Sequence, residues 1–277
     1  MPKNIIFSSI TESFTLIWKN KLLFILLFIL QIVFFVIFSY INLTHQTKIL
    51  ENTKTITDYL SQQKLDDISV TENILQQKSI LGDDPLIISR NFNEIVKNFR
   101  LYLIYIFILF VFFISINWTL TNKLIHSMNI KKSIKIFLKN LIISSFYLGL
   151  VFVFLFSLIN ISITDLAETS KLFQKYAIFL VLSLILLYFM FVSIALLYKI
   201  EFKKIVQKTL VIGIKKIHYI IAAYFINIFL FTVSIFLFYY FIEKNLFILL
   251  LSILLLIFSF VFGRIFVINI VDRLEKS

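Results

Sequence analysis

Chemistry in an apolar chain needs titratable or polar side chains held away from water, and this sequence offers few. Arg264 is the titratable residue that comes closest to the interior of a long apolar run, toward the end of the last one, and Glu201 stands just past the end of another, at a similar expected depth. An arginine so near the end of a run ordinarily snorkels to the headgroups; an ion pair between Glu201 and Arg264 is the sharper expectation. Gln31, Asn117, Asn160, Asn227 and Asn269 are amides within or near apolar runs. In a membrane such amides mostly hydrogen-bond between helices. Gln31 and Asn227 lie deepest and are the two candidates for lining a pore. No run carries a titratable residue at its centre, where proton and ion pathways place theirs.

The chain has no cysteine, which excludes a disulfide framework, a thiolate metal site and a cysteine nucleophile. His126 and His218 fall toward one side of the membrane and His45 toward the other, without carboxylates at ligand spacing, so no metal site is expected. No glycine-rich phosphate loop, HExxH or GxSxG occurs. The acidic pairs Asp66-Asp67 and Asp83-Asp84 sit in a polar loop and read as solvated. No catalytic residue and no cofactor is therefore assigned. A lipid enzyme assembled at the interface from Lys, Tyr and His is the weakest of the readings.

The elements that position these residues follow from composition. The 277 residues are 60% hydrophobic and 17% aromatic, with mean hydropathy +0.96. That is too apolar for a soluble domain, in which roughly 45–50% is usual. An α-helix needs about 20 apolar residues to cross the hydrocarbon core. Six segments qualify: 22–43, 101–121, 141–163, 176–198, 219–242 and 246–268. None alternates in the manner of a barrel strand, so the expected fold is an all-α integral membrane protein with six transmembrane helices.

The net charge of +12 is unevenly spread. Lysines concentrate at the N-terminus, in the connections 123–139 and 199–216, and at the C-terminal end. The long segment 45–100 and the other short connections are close to balanced. By the positive-inside rule both termini are cytoplasmic, in a multi-pass protein of the cell membrane. Lysines on short connections between spans do not read as a nucleic-acid footprint. Anionic lipid of the inner leaflet is their natural partner, at about 1 kcal/mol per lysine near the headgroups.

A pattern recurs through the chain. Ile10, Ser13, Phe14, Ile17, Trp18, Lys19 and Asn20 align without gaps on Ile130, Ser133, Ile134, Phe137, Leu138, Lys139 and Asn140. A weaker third copy runs through Val206, Thr209, Leu210, Gly213, Ile214, Lys215 and Lys216. Each copy is amphipathic at helical period and each is followed by an apolar hairpin. Three repeats of amphipathic interfacial helix plus transmembrane hairpin are expected within one polytopic domain, 1–277. Unit one is 1–121 with a helical outer loop at 45–100, unit two is 122–198, and unit three is 199–277. Lys131, Lys135, Lys139, Lys203, Lys204, Lys208 and Lys215 are the candidate headgroup ligands. Repeats of one sense allow a pseudo-threefold arrangement.

This organisation resembles that of YciC-like proteins and of the membrane domain attached to some glycerophosphodiester phosphodiesterases. In those families a Glu shortly after a span often precedes a basic helix carrying Ser or Thr, and Glu201, Lys208 and Thr209 match that order. The resemblance implies a membrane fold; no phosphodiesterase domain accompanies it, so it implies no catalysis. Within 45–100, Ile49, Ile56 and Leu60 continue a helical stripe from the first span, and Ile88, Phe92, Ile95 and Phe99 lead into the second. A short helix at 68–77 and a turn at 82–85 are expected between them. The leading functional expectation is a non-enzymatic membrane-organising, assembly or lipid-interacting protein, with other membrane proteins or further copies as partners; the alternative is a permease or channel subunit.

Overall fold

The computed structural model describes residues 5–62, 86–159 and 169–276, and these are almost entirely helical. Eight α-helices follow in order: α1 Ile5–Lys19, α2 Lys21–Gln62, α3 Leu86–His126, α4 Ile130–Ile159, α5 Thr169–Leu196, α6 Ile205–Lys215, α7 Ile217–Phe241 and α8 Leu246–Lys276. A short 3-10 turn, Phe202–Lys204, precedes α6. Six of the helices, α2, α3, α4, α5, α7 and α8, are long and apolar enough to cross a membrane. Helix is what an apolar solvent selects, because it satisfies every backbone donor and acceptor within the segment. The chain is thus an all-α integral membrane protein.

The 42-residue α2 spans about 63 Å at 1.5 Å per residue, twice the hydrocarbon thickness. With the 41-residue α3 it forms an antiparallel pair. Asn20 Nδ2 donates to the Leu124 carbonyl, Phe34 meets Phe110, and the Tyr102 hydroxyl donates to Asn42 Oδ1 at 2.6 Å. The expected helical extensions out of the first span and into the second are therefore present. The expected helix at 68–77 and turn at 82–85 lie outside the described residues.

The dry core gathers toward one end of the bundle. Met190 and Ile194 from the close of α5, with Leu197 just after it, pack with Phe262, Phe266 and Ile270 of α8 and Ile220 and Ala223 of α7. We call this the basic end, because the connections between α3 and α4 and between α5 and α7 carry the lysines. Its polar residues are mostly small: Ser13, Asn122, Asn140, Ser144, Ser193 and Thr209 are almost fully buried. Small residues let helix axes approach, and their hydroxyls and amides join helices where lipid and core are equally apolar. Asn140 Nδ2 reaches Thr119 Oγ1 at 2.9 Å, and the Ser193 and Thr209 hydroxyls lie 3.1 Å apart. Tyr188 donates to the Gly213 carbonyl at 2.7 Å, and a Cβ at Gly213 would stand 3.0 Å from Phe189 Cε1. Glycine here lets α6 lie against α5. Away from the core the helices present large apolar side chains, among them Phe173, Phe229, Phe236 and Phe247, as lipid-facing surfaces do.

The three expected amphipathic segments differ. The segments before the first and fifth spans form separate helices, α1 and α6. The second does not: α4 runs unbroken from Ile130 into the span. Its exposed apolar residues Ile130, Ile134, Leu138, Ile142 and Phe146 form one i, i+4 row that crosses the boundary without a break and winds onto the lysine side. At Lys216, by contrast, φ −114° and ψ 22° leave the helical region and set α7 off from α6.

Candidate functional site

Two places combine space with polar chemistry. The first is a cleft of about 460 Å³ at the basic end, between the start of α4 and the end of α5. Ser127, at φ 48°, turns the chain out of α3, and Asn129 Oδ1 caps α4 by accepting the Lys132 N–H at 2.9 Å. This geometry directs Lys131, Lys132, Lys135 and Lys139 into one cleft closed by Leu197 and Tyr198. Lys132 Nζ stands 3.8 Å over the Tyr198 ring, whose other neighbour is His126, stacked at 3.9 Å and 3°.

The acids near this end are already engaged. Asp272 pairs with Lys199 at 3.1 Å and with His126 at 3.2 Å, and Glu275 pairs with Lys199 at 3.4 Å. Glu12 accepts from Arg273 and Glu201 faces Lys204 at 3.7 Å. Lys131, Lys135 and Lys139 have no carboxylate partner among the described residues. One turn beyond Lys139 the same face becomes apolar, with Ile142 and Phe146 exposed. Of the candidate headgroup lysines, the structure brings Lys131, Lys135 and Lys139 together and adds Lys132. Lys203, Lys208 and Lys215 are exposed on the 3-10 turn and α6, outside the cleft, and Lys204 is paired.

The second place is a cavity of about 370 Å³ within the bundle. It gathers Gln31 of α2, Asn117 of α3, Asn227 of α7 and Arg264 of α8, residues that the sequence places in four separate spans. Its wall is largely aromatic: Phe34 meets Phe110 edge-on and Phe113 at a tilt, Trp118 stacks on Phe191, and Phe231 meets Phe260. Asn227 Nδ2 lies 3.4 Å from the Gly263 carbonyl. A Cβ at Gly263 would come within 3.1–3.2 Å of that amide, so glycine makes the room Asn227 occupies.

Arg264 corrects one expectation. It does not pair with Glu201; its Nη1 donates to Gln31 Oε1 at 2.9 Å. Glu201 follows the end of α5 in extended backbone and its side chain is 78% exposed, while Arg264 points across the bundle. Depth along a span sets how far into the membrane a residue lies, not which neighbour it faces.

The first helix carries further contacts with no local pattern in the sequence. Asn269 Nδ2 donates to Ser13 Oγ at 2.8 Å across 256 residues, and Arg273 reaches both Glu12 and Ser8. Phe14 meets Phe262 at 5.0 Å. Ser9 and Ser13 are buried against the bundle while Phe7 and Trp18 are left 70% and 74% exposed. The outward face of α1 is therefore its aromatic one. Among the described residues no group of three His, Cys, Asp or Glu is placed to hold a metal ion. Compared with known proteins, the chain matches no family, no curated protein and no solved structure.

Proposed function

We propose that this is a non-enzymatic multi-pass protein of the cell membrane that binds anionic lipid at its cytoplasmic face and organises lipid or partner proteins there. One observation carries the reading: the cleft of Lys131, Lys132, Lys135 and Lys139, unmatched by acid and continuous with the apolar track of Ile142 and Phe146. Phosphate would sit among the ammonium groups and an acyl chain would follow the track. At about 1 kcal/mol per lysine the cleft supplies on the order of 4 kcal/mol before screening, an enrichment near a thousandfold. The lysine bias orients this end, and both termini with it, toward the cytoplasm.

The three-unit organisation belongs to the same proposal. Each amphipathic segment packs on the second span of the unit before it: the start of α4 on α3, α6 on α5, and α1 on α8. The first two are neighbours in sequence; the third closes a ring. Ser13 and Thr209, matched positions of the pattern, are both buried and both bonded to the neighbouring span. On those two of the three units a pseudo-threefold arrangement of repeats is proposed; the matched Ser133 bonds within its own helix, to the Asn129 carbonyl.

Photocrosslinkable phosphatidylglycerol tests the lipid site in reconstituted membranes. Label should concentrate on peptides covering 130–146 and fall about thirtyfold when Lys131 and Lys135 become Gln, the equivalent of about 2 kcal/mol. Label spread evenly over all spans would defeat the proposal. A permease or channel subunit remains the second reading, favoured by the meeting of Gln31 and Asn227 at one cavity. Solute flux through proteoliposomes that is abolished by Gln31→Leu or Asn227→Leu would select it.

A further inference from the structure

The aromatic cavity holds a cation with a vacant binding edge. Arg264 spends Nη1 on Gln31, but its Nε and Nη2 are buried and have no hydrogen-bond partner. Those two N–H groups lie on one side of the planar guanidinium and point in parallel, the fork that accepts the two oxygens of a carboxylate. The same helix shows this edge in use: Arg273 directs its Nε and Nη2 to Glu12 Oε2 at 3.2 and 2.7 Å. No carboxylate among the described residues reaches Arg264. Arginine stays charged in proteins, and an unpaired charge buried in the bilayer is costly. A ligand bringing one negative charge therefore gains what the fold withholds.

The surroundings define the rest of that ligand. The Tyr224 hydroxyl, also without a partner, lines the same space and adds a donor. Gln31, 4% exposed, fixes the guanidinium from the opposite side, so the fork is held before anything binds. Phenylalanines, Trp118, Ile114, Ile228 and Val267 supply most of the remaining wall, which Asn117, Asn227 and Ser259 interrupt with polar groups. At about 370 Å³ the space is near the lower bound of drug-sized sites. That favours a compact or single-chain body over a two-chain lipid.

We infer that this cavity is a binding site for a monocarboxylate with an apolar body, such as a single-chain fatty acid, held by the Nε and Nη2 edge of Arg264. It is separate from the lysine cleft in residues and in ligand, and it stands or falls independently of the lipid reading.

The chain's two tryptophans make the test direct. Trp18 is exposed on α1, so Trp18→Phe leaves Trp118, at the cavity wall, as the sole tryptophan, excited selectively at wavelengths too long for tyrosine. The probe is ω-bromoundecanoic acid, whose bromine quenches tryptophan on contact, titrated into protein in nanodiscs of zwitterionic lipid. Saturable quenching is expected, with the matched bromo-alcohol weaker by about tenfold or more, because the alcohol cannot accept both arms of the fork. Arg264→Lys keeps the charge but not the fork and should weaken the acid by a similar factor. Lys131→Gln with Lys135→Gln should leave the titration unchanged. Equal quenching by acid and alcohol, or an undiminished acid titration in Arg264→Lys, would overturn the inference and leave the cavity a passive apolar void. Displacement of the acid by equimolar phosphatidylglycerol would overturn the carboxylate assignment in favour of a lipid phosphodiester. Should Arg264→Lys lose its helical circular dichroism, the acid-to-alcohol comparison on the otherwise native protein decides alone.

Discussion

At the scale of single residues, Arg264 is a cation drawn into the bundle and held by its neighbours. The Gln31 amide is its one hydrogen-bond partner among the described residues, so Gln31→Leu should cost about 1.5–3 kcal/mol, as expected for a hydrogen bond to a charged group. Chemical denaturation in detergent would measure this. Combined with Arg264→Leu it should be non-additive by at least about 0.5 kcal/mol, whereas Glu201→Gln combined with Arg264→Leu should add within error. A second prediction concerns Gly263, where a methyl would press on the Asn227 amide at 3.1 Å. Gly263→Ala should show little of the roughly 0.5–1 kcal/mol that alanine gains over glycine within a helix, and Asn227→Ala in the same chain should restore that gain. The candidates Gln31, Asn227 and Arg264 were each legible in the sequence, because a polar residue stands out in an apolar run. Their convergence was not. Gln31 and Arg264 are 233 residues apart, and the direction a residue faces around its helix is set by packing that no local pattern records. Glu201 was matched to Arg264 on depth alone, and depth is only one of the two coordinates a contact needs.

At the scale of elements, hydropathy was enough to find the six long helices, since length and composition are what the bilayer selects. Their ends were harder. The lysine-bearing start of α4 has the composition of an interfacial helix, yet Asn140 turns its amide onto Thr119 and the backbone continues into the span. The docking of α1 was hidden for a different reason. Its aromatic residues dominate any periodicity, but Ser9 and Ser13 form the packed edge, and small hydroxyl residues carry little weight in a hydrophobic pattern. That edge makes a prediction of its own. Asn269→Leu with Ser13→Ala should remove about 1 kcal/mol of attachment and loosen α1, which Arg273 and Phe262 still hold, without unfolding the bundle. Hydrogen exchange should then quicken over 5–19 and stay unchanged over 190–197. Uniform quickening of both would mean that α1 is part of the global folding unit.

At the scale of the whole molecule, charge and packing coincide. The end of the bundle that carries the lysines is also where the buried core gathers, so the lysine cleft borders the packed part of the protein. Four acids near that end are each tied to a basic partner, which leaves no carboxylate among the described residues to meet the cleft's positive field. Orientation is testable directly, because the protein has no cysteine of its own. Cysteines introduced as Lys135→Cys and Lys208→Cys should resist an impermeant thiol reagent applied outside intact cells and react once the cells are opened; labelling in intact cells would reverse the topology. The central claim is that the lysine cleft holds anionic lipid. The most direct test is native mass spectrometry of the protein extracted in lipid particles from a mixed membrane. The account predicts retained anionic lipid on the native chain and its loss when Lys131, Lys132, Lys135 and Lys139 are changed together to Gln. A chain that retains neutral and anionic lipids in proportion to their abundance, before and after those changes, would contradict it.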